Sequence, residues 1–208
     1  MERGSLSVLA PRDERAGGTW LGLNEKGVFA GLTNRFGEMP DPERRSRGEI
    51  VFRALEEGSA AAAAEAIGEI GAGQYNPFHF LVADRGEAWV VVGDGEFTTV
   101  TRLAPGFAVI TERSFGAANN PRKRHVSAKL KELENGGGVG LDELRSILSE
   151  NSSGTIDAVC VELEGIDYGT RSSTLLRYGG SKTEFWHAEG PPCRVDYEDL
   201  SDLAREIL

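Results

Sequence analysis

The sequence predicts a layered α+β fold with antiparallel sheets. Three observations predict it. Residues Ala16–Asn34, AGGTWLGLNEKGVFAGLTN, read as a two-strand hairpin. Four strand-like runs follow between residues 78 and 111, spaced as in an antiparallel meander. Finally, strands and helices come in runs of like elements rather than one by one, and such runs segregate into layers. The chain has 208 residues, 39% of them hydrophobic, which suits one domain over residues 1–208 with a sizeable core. It contains no internal repeat and no linker.

Residues 1–5 are polar and predict a loose end. Leu6–Ala10 predicts a short edge strand, stopped by Pro11. In the hairpin, Trp20, Leu21 and Leu23 lie on one arm and Val28, Phe29, Ala30 and Leu32 on the other. Asn24-Glu25-Lys26-Gly27 is the turn, with Gly27 free to take a positive φ. Gly17 and Gly18 lead in where side chains would block close backbone approach. Thr33-Asn34-Arg35 ends the second arm, and polar groups at the rim of a sheet are well placed for function. Gly37–Arg47, with two prolines and the cluster Arg44, Arg45 and Arg47, predicts a loop.

Ile50, Val51, Ala54 and Leu55 share one face of a helix over Gly48–Glu57. Gly58 ends it, and Ser59 caps an alanine-rich helix over Ala60–Ile70. Phe78–Ala83, Ala88–Gly93, Phe97–Leu103 and Phe107–Thr111 are the four strand-like runs. Asn120-Pro121 opens a helix with a cap and a first-turn proline. Its exposed face is basic, and a solvated surface explains it. Gly136-Gly137-Gly138 breaks the chain before a helix over Leu141–Glu150. Strands are predicted at Ala158–Leu163, Ser172–Tyr178 and Lys182–Ala188, and a last helix carries Leu200, Leu203, Ala204 and Ile207.

Composition excludes several classes. A formal net charge of -10 argues against non-specific binding to nucleic acid or to an anionic membrane surface. No apolar run approaches the roughly 20 residues of a membrane span, and Met-Glu-Arg-Gly-Ser is no signal peptide. The sequence therefore predicts a cytoplasmic protein with Cys160 and Cys193 as free thiols. The glycine run lacks the Lys-Ser/Thr of a phosphate loop. His79, His125 and His187 are not at metal-ligand spacing. No resident metal or cofactor is expected.

Gly-Gly-Thr-Trp-Leu-Gly followed by Leu-Thr-Asn resembles the NRDE family, which includes the transport-and-Golgi-organisation proteins. Arg45-Ser46-Arg47-Gly48, Tyr75-Asn76-Pro77-Phe78 and Tyr168-Gly169-Thr170-Arg171-Ser172-Ser173-Thr174 fit the same family, so the match spans most of the chain. The resemblance implies an N-terminal nucleophile hydrolase architecture, an αββα sandwich. It also implies a family pattern that begins with Met-Cys and an Asn-Arg-Asp-Glu run. Neither is present, and Arg12-Asp13-Glu14-Arg15 is not that run. The expectation is thus an N-terminally incomplete fold that lacks its nucleophile as numbered. Met1 cannot attack a carbonyl, and Ser5 would need cleavage after Gly4.

The resemblance carries Thr19, Trp20, Asn34, Arg35, Arg47, Asn76, Thr170 and Arg171 as candidate binding residues. Asn34 can donate to a bound carbonyl or simply stop the strand. Arg47 faces the site, or lies in a solvated loop. Asn76 before Pro77 is also a common turn pair. Arg171 can clamp a carboxylate with its planar fork, or serve an internal ion pair. The hairpin is also similar to the bile-salt and penicillin V acylase branch. There a later Leu-Thr-Asn supplies an oxyanion donor, and Glu112 stands nearest that place here, an acceptor only when ionised. The implied function is a cysteine amide hydrolase if a cysteine lies upstream. The alternatives are a small-ligand carrier, with haem cradled by Trp20, Phe29 and Phe36 and an arginine (the same residues also make a good core), and a scaffold that forms a homodimer through an exposed sheet edge.

Overall fold

The computed structural model describes residues 1–208 except 1, 4, 5, 15, 16, 38, 114, 116–119, 137, 152–154, 164, 180 and 181; for residues 2, 3 and 72 only the backbone is described. Ser5, the Arg15-Ala16 end of the hairpin lead-in and Gly137 of the glycine run lie outside the described residues. The chain divides into two compact units, residues 1–117 with 206–208, and residues 118–205.

The first unit is built on a seven-stranded antiparallel sheet whose strands follow one another in chain order. They are β1 (Glu2–Arg3), β2 (Leu6–Leu9), β3 (Leu21–Asn24), β4 (Phe29–Asn34), β5 (Phe78–Ala83), β6 (Ala88–Gly93) and β7 (Thr98–Arg102). The hairpin forms as read, with Leu21 opposite Gly31 and Leu23 opposite Phe29. Its turn closes through Gly27 N–H donating to the Asn24 carbonyl at 2.9 Å, with Gly27 at φ 79°. Gly18 serves the close approach expected of it: a Cβ there would lie 3.0 Å from Gly48 Cα.

Two helices, α1 (Gly48–Leu55) and α2 (Ala60–Gly68), are inserted between β4 and β5 and pack on the sheet. Ser59 caps α2, its hydroxyl accepting from Ala62 N–H at 3.2 Å. A second acceptor reaches the same helix end, Asp84 Oδ2, 2.8 Å from Ala60 N. The core lies between these helices and the sheet, around Val28, Ala30, Ile50, Val51, Leu55, Ile67, Phe78, Phe80, Val82 and Val91. Burial of each large apolar side chain there contributes about 1.5–3 kcal/mol. The alanines of α2 are core residues too: Ala60, Ala63 and Ala64 are fully buried.

The second unit holds α3 (Pro121–Asn135), α4 (Leu141–Leu148), β8 (Ser173–Arg177), β9 (Glu184–Ala188), β10 (Glu198–Asp199) and all but the last two residues of α5 (Ser201–Ile207). Its three strands form a second antiparallel sheet in the order β10-β9-β8. Asn120 caps α3 by accepting from Lys123 N–H at 3.0 Å, with Pro121 in the first turn. No helix among the described residues is long and apolar enough to cross a membrane.

Five expectations are corrected. Residues 2 and 3 are not loose: they pair as β1 with β2, which places β2 between two strands rather than at an edge. Phe107–Thr111 is not a strand. After Ala104-Pro105-Gly106 it leaves β7, and the backbone beyond it turns to Phe36, whose N–H donates to the Glu112 carbonyl at 2.5 Å. Ala158–Leu163 is not a strand either. Its polar backbone is satisfied locally, Val161 N–H by the Thr170 hydroxyl at 2.9 Å and Cys160 N–H by the Glu150 carbonyl at 2.9 Å, with a single bridge between Glu162 and Gly169. Cys160 and Cys193 are not free thiols but a disulfide inside the second unit, with Cα atoms 6.2 Å apart. Proximity across 33 residues of chain is invisible to spacing rules. Finally β10, two residues long, carries no sequence signal.

Candidate functional site

Strand β4 ends at Asn34, and the chain then runs through a polar strap to the start of α1. Three carbonyls of the segment before β5 tie the strap down. The Gln74 carbonyl accepts from Arg45 N–H at 2.9 Å, the Tyr75 carbonyl from Arg44 Nη1 at 2.8 Å, and the Pro77 carbonyl from Arg47 Nη1 at 2.9 Å. Pro77 also accepts from Arg35 N–H at 3.0 Å. Asn76 clasps the strap from the other side. Its Oδ1 accepts from Asp41 N–H at 2.8 Å, and its Nδ2 donates to the Asp41 carbonyl at 2.9 Å.

These ties leave a hollow of about 380 Å³. Thr19, Trp20, Asn34, Arg47 and Asn76 all line it, with Asp13, Asp41, Arg44, Arg45 and Ser46 among the remaining walls. So five candidates drawn from four separate stretches meet in one place. Their free chemistry differs. The Thr19 hydroxyl is buried and spent on the Leu21 carbonyl at 2.8 Å, and both faces of the Asn76 amide are spent on Asp41. The Asn34 side-chain amide is exposed and has no partner among the described residues. Trp20 is 38% exposed and offers an apolar wall. Arg47 is half-buried, and desolvation pushes its guanidinium below the ordinary arginine pKa while leaving it a cation at neutral pH.

A second hollow of about 370 Å³ adjoins the strap and is lined by Arg35, Phe36, Gly37, Arg44, Pro77, Asp94, Gly95 and Glu96. Arg35 therefore serves this hollow rather than the first. Glu112 lines neither; its carboxylate lies 3.7 Å from Arg113 Nε, and with Phe107–Thr111 not a strand it ends no strand. Thr170 and Arg171 belong to the second unit, where they border a smaller hollow of about 180 Å³. Thr170 Oγ1 accepts from Val161 N–H, and Arg171 pairs with Asp167 at 2.7 Å, so both have internal partners. The three aromatics named for a porphyrin do not line either of these hollows together: Trp20 lines the first, Phe36 the second and Phe29 neither. Among the described residues no group of three or more His, Cys, Asp or Glu is placed to hold a metal ion.

The neighbourhood of one buried group escaped the sequence reading. His79 on β5 is 1% exposed, and its Nε2 accepts from Phe115 N–H at 3.0 Å. The ring proton therefore sits on Nδ1, which has no partner among the described residues. Burial first, then the Arg35 charge, hold its pKa below the ordinary histidine value, against an opposing pull from Glu112. A lone histidine in an apolar run carries no signal of that neighbourhood. Asp41 was missed as well, and its only clue was its place between Pro40 and Pro42.

Comparison with known proteins agrees with the fold and the motifs. The transport and Golgi organization protein 2 homolog of Bos taurus is 29% identical over 207 residues, covering 82% of this chain and 71% of that protein. The Homo sapiens homolog is 26% identical over 201 residues, again covering 82% and 71%. The Mus musculus homolog is 30% identical over 114 residues, or 55% of this chain and 40% of that protein. Among solved structures, two variants of the conjugated bile acid hydrolase from Clostridium perfringens superpose with TM-scores of 0.54 and 0.52, each at 14% identity over 95% of this chain and 78% of the other. That likeness shows the fold alone, α+β with antiparallel sheets. The family match covers residues 3–187, and the chain belongs to the Transport and Golgi organisation 2 family.

Proposed function

We propose that the hollow at the end of β4 is the ligand pocket of an amide-hydrolase site that takes small non-peptide amides. The observation that carries this reading is the convergence of Thr19, Trp20, Asn34, Arg47 and Asn76 on one hollow. In this reading the Asn34 amide donates to the ligand carbonyl, Trp20 covers its apolar part, and Arg47 draws a carboxylate or other anionic group. Hydrolysis of a C–N bond by such a site needs a nucleophile. The mature N-terminal cysteine of this chemistry attacks the carbonyl, its α-amine takes the thiol proton, the amine leaves, and water cleaves the thioester. Neither Cys160 nor Cys193 fills that place, since they are bonded to one another. Catalysis therefore requires a cysteine N-terminal to these residues; binding does not.

The test is calorimetric titration of the purified protein with small N-acyl amides, alongside a hydrolysis assay. Asn34→Ala is expected to weaken binding about tenfold, the worth of one hydrogen bond to a carbonyl. Its exposed side chain has no partner to lose, so the melting temperature should not move. Unchanged affinity in Asn34→Ala sinks the reading. Haem belongs in the same titration series: a Soret shift abolished by Trp20→Ala moves the hollow from hydrolysis to carriage. A cytoplasmic setting is part of the proposal only if the Cys160–Cys193 bond is made and broken there, because permanent disulfides are rare in that compartment.

A further inference from the structure

The hollow beside Arg35 has its own chemistry. Its charged walls are Arg35, Arg44, Asp94 and Glu96, and its apolar walls are Phe36 and Pro77. Arg44 is already committed, donating to the Tyr75 carbonyl and lying 3.6 Å from Asp41. The Arg35 guanidinium is not: it forms no hydrogen bond or ion pair among the described residues, although its charge reaches Asp94. Asp94 is held in place by its own turn. Its Oδ1 accepts from Phe97 N–H at 2.8 Å and Glu96 N–H at 2.9 Å, and Oδ2 has no partner among the described residues. Those two backbone donors, Phe97 first, also keep the carboxyl ionised below the usual carboxylate range. Between them the backbone is bare at Gly95, where a Cβ would come within 2.9 Å of Arg44 Nη1.

An uncommitted cation and a fixed anion thus face one space of about 370 Å³, with no ion pair between them among the described residues. A lone anion entering it meets Asp94 and Glu96, and a lone cation meets Arg35. A molecule bearing both charges satisfies both walls. We infer that this hollow binds a small zwitterion of the α-amino-acid class, its carboxylate on the planar fork of Arg35 and its ammonium on Asp94 Oδ2. Phe36 and Pro77 favour an apolar side chain on that ligand. The site is separate from the Asn34 hollow and shares only the Arg44 wall with it, so it does not rest on the hydrolase reading.

The test uses L-phenylalanine as probe, with 3-phenylpropionate (no ammonium) and phenethylamine (no carboxylate) as matched controls, titrated into the purified chain by calorimetry. L-phenylalanine is expected to bind at least about tenfold more tightly than either control, as loss of a charged hydrogen bond predicts. Arg35→Ala and Arg35→Lys should each weaken it, the lysine less, since charge survives and the fork does not. Asp94→Asn should weaken it as well; because that change also touches the turn, Arg35→Ala, whose guanidinium has no partner among the described residues, is the deciding variant. Asn34→Ala should leave it unchanged. Equal binding of either control, no binding of L-phenylalanine, or indifference to Arg35→Ala overturns the inference. Loss of binding in Asn34→Ala but not in Arg35→Ala overturns it too, and assigns the ligand to the other hollow.

Discussion

Asn24 makes four hydrogen bonds from one fully buried side chain. Its Nδ2 donates to the Leu55 carbonyl at 3.0 Å and the Glu57 carbonyl at 2.8 Å, and its Oδ1 accepts from Lys26 N–H at 3.0 Å and Val28 N–H at 2.9 Å. The side chain therefore shapes the hairpin turn and also satisfies carbonyls at the end of α1, which no helical partner reaches. The sequence identifies the turn, because Asn and Gly flanked by apolar runs are a local signal. It does not identify the second role, whose partners lie 31 and 33 residues away. Asn34 is the opposite case: its position at a strand end is legible, and its freedom from partners is what makes it a candidate. Asn24→Ala removes all four bonds and strands buried polar groups, so it should destabilise the protein by about 2–4 kcal/mol, read as a lowered urea midpoint. A loss below about 0.5 kcal/mol would mean that water replaces the amide there.

At the scale of elements, legibility followed local chemistry. Strands β5 and β6 match their sequence bounds to the residue because an apolar run on each side is punctuated by Asp84-Arg85-Gly86-Glu87, where Asp84 Oδ1 accepts from Gly86 and Glu87 N–H. Phe107–Thr111 has the same apolar character and is no strand, since strand pairing depends on a neighbour that composition does not name. The β5–β6 register also fixes a packing detail. Phe78 faces Gly93, and its ring lies where a Cβ on Gly93 would come within 2.4 Å. Phe78 is 1% exposed and follows Pro77, whose carbonyl anchors Arg47 and the Arg35 backbone. Gly93→Ala should therefore cost about 1–3 kcal/mol by overpacking, measured by chemical denaturation. A neutral result would show that the ring has room to move.

On the scale of the whole molecule, the two units differ in what holds them together. Most of the large buried apolar side chains lie in the first unit, around the seven-stranded sheet. The second has a three-stranded sheet and, among the described residues, few large buried apolar side chains, such as Leu130, Ile147, Leu175 and Phe185. It also has the Cys160–Cys193 bond, which closes a loop of 33 residues. Removing such a loop closure frees the unfolded chain and costs about 3–4 kcal/mol in the chain-entropy picture. Thiol–disulfide exchange with excess dithiothreitol yields two protein thiols and the cyclic oxidised reagent. It should speed amide hydrogen exchange across residues 118–205 while leaving the strands at 78–93 protected. The double variant Cys160→Ser with Cys193→Ser should reproduce the pattern without reductant, which separates the bond from any other effect of the reagent. Equal exchange in the oxidised, reduced and variant proteins would mean that the second unit is held by its apolar contacts alone. Uniform loss of protection through both units would mean instead that the molecule unfolds as one cooperative body, and that its stability as a whole rests on this single covalent tie.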